Sequence, residues 1–168
     1  MTIRTESELL SIFSDNVNRD ITPQDLRDLV DSLVAVGGTM FANAKPIALA
    51  GGWEEFAWFD QSIDTKGLAE DLLLGHFTVQ TGADGLYAVD TTVSLSSQAP
   101  GTLQLAITKN GSLTPYRVKR DVSANDTGSV SITATGPVIA GDTIGLAINA
   151  QGAANVDLEF AQFRAIRV

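Results

Sequence analysis

The stretch "GLYAVDTTVSLSSQAPGTLQLAITKNGSL", residues 85–113, holds two runs of alternating apolar and polar side chains on either side of a Pro-Gly break. Tyr87, Val89, Val93 and Leu95 alternate with Ala88, Asp90, Thr92 and Ser94, and Leu103, Leu105 and Ile107 repeat the pattern. A period of two sends one set of side chains to a core and the other to solvent, which is the signature of a half-buried β-strand. Asn110-Gly111 then supplies a tight turn, because both residues tolerate positive φ, and Gly141-Asp142 supplies another. Extended outward, the same period marks candidate strands at 53–60, 73–81, 86–96, 102–108, 115–121, 129–135, 143–149 and 156–168. Eight short strands with turn residues between them argue for a β-sandwich or small barrel. No helical stretch interrupts them, so a parallel α/β domain is excluded.

The last strand breaks its own rhythm. In "NVDLEFAQFRAIRV", Val156, Leu158 and Phe160 share a phase with Ile166 and Val168, whereas Phe163 and Ala165 point the other way. Either a bulge shifts the phase, or both faces are covered and a second subunit lies against the sheet.

Ahead of the β region the period is 3.6. Glu6 to Phe13 reads as a short helix capped by Thr5, with Leu9, Ile12 and Phe13 on one face. A second helix is expected from Pro23 to about Val36. Thr22 caps it, Pro23 takes its first position, and Ile21 and Leu26 form a staple at its entry. Leu26, Leu29, Val30, Leu33 and Val34 make its apolar stripe, and Gly37-Gly38 is expected to end it. The stripe needs a partner: the first helix and the β domain, a neighbouring subunit, or a docking surface on an assembly. The expected division is a helical attachment segment over 1–45 and a β-sandwich over 46–168.

Composition narrows the function. With 168 residues, 44% hydrophobic and 18% charged, the chain has the make-up of a folded protein. A net charge of −9 argues against binding nucleic acid or an anionic membrane surface. There is no cysteine, so no disulfide or thiolate metal site can form. "MTIRTESELL" is polar where a signal peptide would be apolar, so synthesis in the cytoplasm is expected.

Residues that could carry chemistry are few. His76 is the only histidine and is placed on the polar side of a strand. "GGTMFANAKP" lacks the spacing of a phosphate loop, and "SANDTGS", residues 123–129, reads as an Asx-stabilised turn with Asn125 and Asp126. Glu54, Glu55, Asp60, Asp64, Glu70 and Asp71 read as rim carboxylates. No catalytic residue, metal site or cofactor is assigned. "WEEFAWFD", residues 53–60, concentrates both tryptophans with Phe56 and Phe59. It fits a core strand, an aromatic seam between subunits, or a sugar-stacking surface.

From "GLYAVDTTV" to the C-terminus the chain resembles the C1q/TNF-like jelly roll. Gly85 and Tyr87 match a Gly-x-Tyr that opens a strand, Asn110-Gly111 follows "LQLAITK", and Gly141-Asp142 precedes a long strand in "VIAGDTIGLAI". Phe160 and Phe163 match an aromatic-rich final strand, while the family's glycine-aromatic run before it is replaced by "NAQGAANVDLEF". The resemblance implies a homotrimer with an apolar, aromatic centre. Residues 6–33, "ESELLSIFSDNVNRDITPQDLRDLVDSL", look like a segment that opens structural proteins of tailed bacteriophages, ahead of a fibre, spike or decorating domain.

Together these imply a mainly β protein, two short helices followed by a jelly roll, working as a non-enzymatic virion accessory protein. A capsid decoration or short head fibre comes first, bound to the major capsid protein or another virion component. A tail-fibre tip that recognises a host surface glycan near Tyr116, Arg117 or Asn125 is one alternative, and a non-viral C1q-like or lectin-type module another. The expected attachment and interface residues are Leu9, Phe13, Ile21, Leu26, Leu29, Val30, Leu33, Trp53, Phe56, Trp58 and Phe163.

Overall fold

The computed structural model describes residues 26, 29, 35–49, 51–152 and 155–168. Eleven strands follow one another: β1 (Gly37–Ala48), β2 (Trp53–Glu55), β3 (Gln61–Lys66), β4 (Leu68–Asp71), β5 (His76–Val79), β6 (Gly85–Ser97), β7 (Gly101–Lys109), β8 (Ser112–Val122), β9 (Asp126–Val138), β10 (Thr143–Gln151) and β11 (Asn155–Arg167). They form two antiparallel sheets, one ordered β3-β1-β11-β6-β9 and the other β4-β5-β10-β7-β8, with β2 added to β10. This is a jelly-roll sandwich.

The alternation in β6 survives intact. Tyr87, Val89, Val93 and Leu95 are buried with Thr91 in the same phase, and the residues that alternate with them are half-buried. Leu103, Leu105 and Ile107 on β7 and Ile144, Leu146 and Ile148 on β10 close the core from the other sheet. Gly85 opens β6 as expected, and the Tyr87 hydroxyl donates to the Ala83 carbonyl at 2.7 Å inside the core. Burial pushes that phenol up to about 12.

The phase problem of the last strand is solved by a bulge. The β11–β6 register slips between Leu158 and Phe160, leaving Glu159 as the extra residue. Val156 and Leu158 face inward before the slip, and Ala161, Phe163 and Ala165 face inward after it. Phe163 then joins a run of rings that crosses the sandwich. Its ring stacks on Phe77 of β5 at 5.8 Å and meets Phe59 at 6.2 Å. Phe59 touches Phe56 at 5.0 Å, and Phe56 meets Trp58 edge-on at 5.2 Å.

Several expectations are corrected. Gly37-Gly38 does not end a helix but opens β1, and Ala35 and Val36 before it are not helical. Small residues are required here for packing: a Cβ on Gly38 would lie 2.9 Å from the Phe77 ring, and one on Gly37 would lie 2.8 Å from the Ala165 carbonyl oxygen. The division at residue 45 therefore falls inside β1, and the β unit begins at Gly37. The segment 53–60 is a strand only over Trp53–Glu55, because Phe56 and Phe59 both turn into the core. The start of 73–81 is a turn, in which the Asp71 carboxylate accepts the Leu73 and Leu74 N–H groups, each at 3.0 Å. Gly75 closes it at φ +69. Leu26 and Leu29 are helical; the other helical positions expected before residue 35 lie outside the described residues.

The two turns read from sequence are tied to each other. Asn110, at φ 51, accepts the Thr143 N–H at 2.8 Å and donates its amide to Asp142 at 2.8 Å. Asp142 also accepts the Ile139 N–H at 3.0 Å and pairs with Lys109 at 2.8 Å. The Lys109 ammonium, the Asn110 amide and the Ile139 N–H, in that order, hold its carboxyl down at about 2.

Two stability outcomes follow from this packing. Truncating Phe163 to Ala should cost about 3–5 kcal/mol in urea unfolding, because Phe77 and Phe59 lose their partner and a cavity opens in the core. Asp142→Asn should cost roughly 1.5–3 kcal/mol at pH 7. A depressed carboxyl stabilises the fold above its unfolded value near 4 and loses that contribution as pH falls through 2. The gap between Asp142→Asn and wild type should therefore narrow from pH 4 to pH 2.

Candidate self-association face

The outer face of the five-stranded sheet can be laid out row by row from its register. One row runs Ile63, Thr39, Arg164, Asp90, Thr133, and the next Gln61, Phe41, Gln162, Thr92, Ser131. A third runs Asn43, Phe160, Ser94, Ser129. The half of the face built on β3, β1 and β11 sets an apolar strip of Ile63, Phe41 and Phe160 among polar side chains, and the half built on β6 and β9 is hydroxyl-rich.

The bulge in β11 creates the apolar half. It turns Phe160 outward, where it is 39% exposed and rests against Phe41 at 6.3 Å. Ile63 beside them is 50% exposed. On the hydroxyl half, the Thr92 and Ser131 hydroxyls hydrogen-bond at 2.9 Å, and Ser96 donates to the bulged Glu159 at 3.2 Å. Arg164 stands directly across from Asp90 and balances it, while Glu159 and Asp157 add two carboxylates beside Ser96.

The rim is polar and ordered. Asp60 accepts the Asn43 N–H at 2.8 Å and pairs with Lys45, and these two partners hold its carboxyl below the usual range. At one end of the face lies an open cleft of about 360 Å³, lined by Ala35, Val36, Gly37, Thr39, Asp64, Lys66, Arg164 and Ile166. Ala35 and Val36, with which the continuous run of described residues begins, thus lie at this same face.

The residues expected at an interface separate into distinct environments. Phe56 and Phe163 are 0% exposed and belong to the core of a single subunit, which removes them as partner contacts. Trp58 packs against that core from its edge. Trp53 faces outward on the opposite sheet, under the Arg117 guanidinium at 5.7 Å from its ring centre. Leu26 is half exposed and Leu29 part-buried. Leu9, Phe13, Ile21, Val30 and Leu33 lie outside the described residues. Phe41, Phe160 and Ile63 were not singled out from sequence. The broken phase of β11 was the signal that placed Phe160 outside.

Among the described residues no three His, Asp or Glu side chains come together as a metal site. His76 sits half-buried on β5, opposite Asp71 and Gly145. Tyr116 is tied by its hydroxyl to the Thr135 carbonyl at 3.0 Å, and Asn125 turns the chain between β8 and β9 at φ 60. No described helix is long and apolar enough to cross a membrane.

No family model matches the chain, and no curated protein matches it by sequence. Solved structures do match by fold. The Eiger TNF of S. frugiperda superposes with a TM-score of 0.60 at 10% identity, over 80% of this chain and 92% of that one. Murine APRIL gives 0.57 at 16% identity over 79% and 99%, and the globular domain of zebrafish complement 1qA gives 0.53 at 16% over 79% and 97%. The fold is that of the C1q/TNF-like jelly roll.

The bulge makes neighbouring rings unequal. Phe160→Ser should shift stability by less than about 1 kcal/mol in the same urea experiment that registers the large loss for Phe163→Ala.

Proposed function

We propose that this protein is a non-catalytic binding module that assembles as a homotrimer through the outer face of its five-stranded sheet. The observation that carries this is the strip formed on that face by exposed Phe160 and Ile63 with half-buried Phe41, beside the Arg164–Asp90 pair. Such a strip gains from burial. The likeness to Eiger TNF, APRIL and complement 1qA supports a self-associating module of that kind.

A second, finer role rests on sequence alone. The likeness of residues 6–33 to bacteriophage structural proteins favours a virion accessory, either a head decoration or short head fibre or a tail-fibre tip. The leading segment would then anchor the trimer to the particle. Ala35, where the run of described residues after that segment begins, lines the cleft at the proposed association face, which supports three segments joined to the trimer side by side.

Sedimentation equilibrium of the full chain should give three times the monomer mass, and Phe160→Glu should shift it toward monomer while leaving the circular dichroism spectrum unchanged. A persistent monomer in the wild type overturns the trimer. Deletion for particle-binding assays should stop at residue 34, because a cut at 45 removes most of β1. Loss of particle binding with the trimer retained supports the anchor, whereas retained binding overturns it.

A further inference from the structure

We propose that the outer face of the six-stranded sheet carries a saccharide-binding subsite built on Trp53, Arg117 and Asn149. The starting observation is Asn149 on β10. It is only 6% exposed, and its Oδ1 is the one buried side-chain polar atom among the described residues with no hydrogen-bond partner. A buried acceptor without a donor is costly, and folded proteins seldom keep one without a use for it.

Its surroundings supply the rest of a sugar site. The register sets Trp53 of β2 on one side of Asn149 and Gln104 of β7 on the other, on the same face. In the adjoining row the small, buried Ala147 and Ala106 lie between Glu55 and Arg117. The exposed Arg117 reaches back across that row until its guanidinium stands over the indole, with its Nε donating to the Thr114 carbonyl at 3.2 Å. An indole flanked by amides and a guanidinium suits a pyranose ring. The ring's C–H face stacks on the indole in place of the guanidinium, which turns its N–H donors to the hydroxyls. A sugar hydroxyl or acetamido N–H supplies the donor that Asn149 Oδ1 needs.

Charge selects among sugars. Arg117 shares this face with Glu55, and Lys119 pairs with Asp121 at 3.4 Å, so no cationic surplus exists to favour an acidic ring. The ligand class is a neutral hexose or N-acetylhexosamine. The subsite lies on the sheet opposite the self-association face and does not depend on assembly.

The test is an NMR titration of the full chain with the methyl glycosides of glucose, galactose, mannose and N-acetylglucosamine. At least one should move the Trp53 indole N–H and the Asn149 side-chain amide saturably, with a Kd on the order of 1–10 mM. Trp53→Ala should abolish the effect while the Trp58 indole signal stays in place. Asn149→Ala should weaken binding at least about five-fold without lowering the melting temperature, since it removes an unsatisfied acceptor. The proposal is overturned if none of the four sugars gives saturable shifts, or if the shifts survive Trp53→Ala. It is equally overturned if Asn149→Ala melts lower yet binds as wild type does.

Discussion

One surplus residue in the final strand decides what this protein keeps inside and what it shows. Val156 and Leu158 set an inward phase that, carried on unbroken, would bury Phe160, Gln162, Arg164 and Ile166 and push Phe163 and Ala165 into water. A one-residue slip exchanges the two faces of a strand completely. The bulge at Glu159 makes that slip within β11, so Val156 and Leu158 before it and Ala161, Phe163 and Ala165 after it are all buried. Neither Arg164 nor Gln162 then has to be desolvated in the core, and no polar network is needed there to compensate.

The consequences spread from β11 to both sheets. Phe163, once inside, stacks on Phe77, and Gly38 on the neighbouring strand leaves room for the Phe77 ring, which a Cβ there would meet at 2.9 Å. The rings of Phe56, Phe59 and Trp58 then fill the space that β2 leaves by stopping after three residues. The bulge also leaves Phe160 outside, next to Phe41, so the exposed strip and the aromatic core come from the same local event.

Much of the sandwich was legible because it obeys local rules. The period of two in β6, β7 and β10 and the turn chemistry at Asn110-Gly111 and Gly141-Asp142 act within a few residues, and the structure keeps them. What was not legible depends on distant partners. β1 reads "GGTMFANAKPIA", poor in β-branched residues, and is a strand because β11 pairs with it along most of its length. β3 is an edge strand with a polar sequence and no clean alternation. The inward turn of Phe56 and the outward turn of Trp53 depend on where β2 meets β10, a contact between segments about ninety positions apart that no window of sequence contains. The same reason kept the self-association face hidden: its rows draw single residues from five strands.

The two outer faces differ in a way that bears on how weak contacts become useful. The chain carries a net −9, so three copies repel one another at long range. Over a Debye length of about 8 Å at physiological salt that repulsion is largely screened, and only charges at the contact itself matter. The face with the Phe41–Phe160 strip places Arg164 across from Asp90, so these two charges balance, while Glu159 and Asp157 stand beside Ser96. Three solvent-facing apolar side chains are nonetheless a small gain against the entropy of association. A leading segment anchored to a particle, as proposed, would change this balance. Segments held next to one another raise the local concentration of the β units without adding any contact between them. In an assembly of the proposed design the face would hold the three copies together and the segment would hold the trimer on its particle, each adding to the other through local concentration.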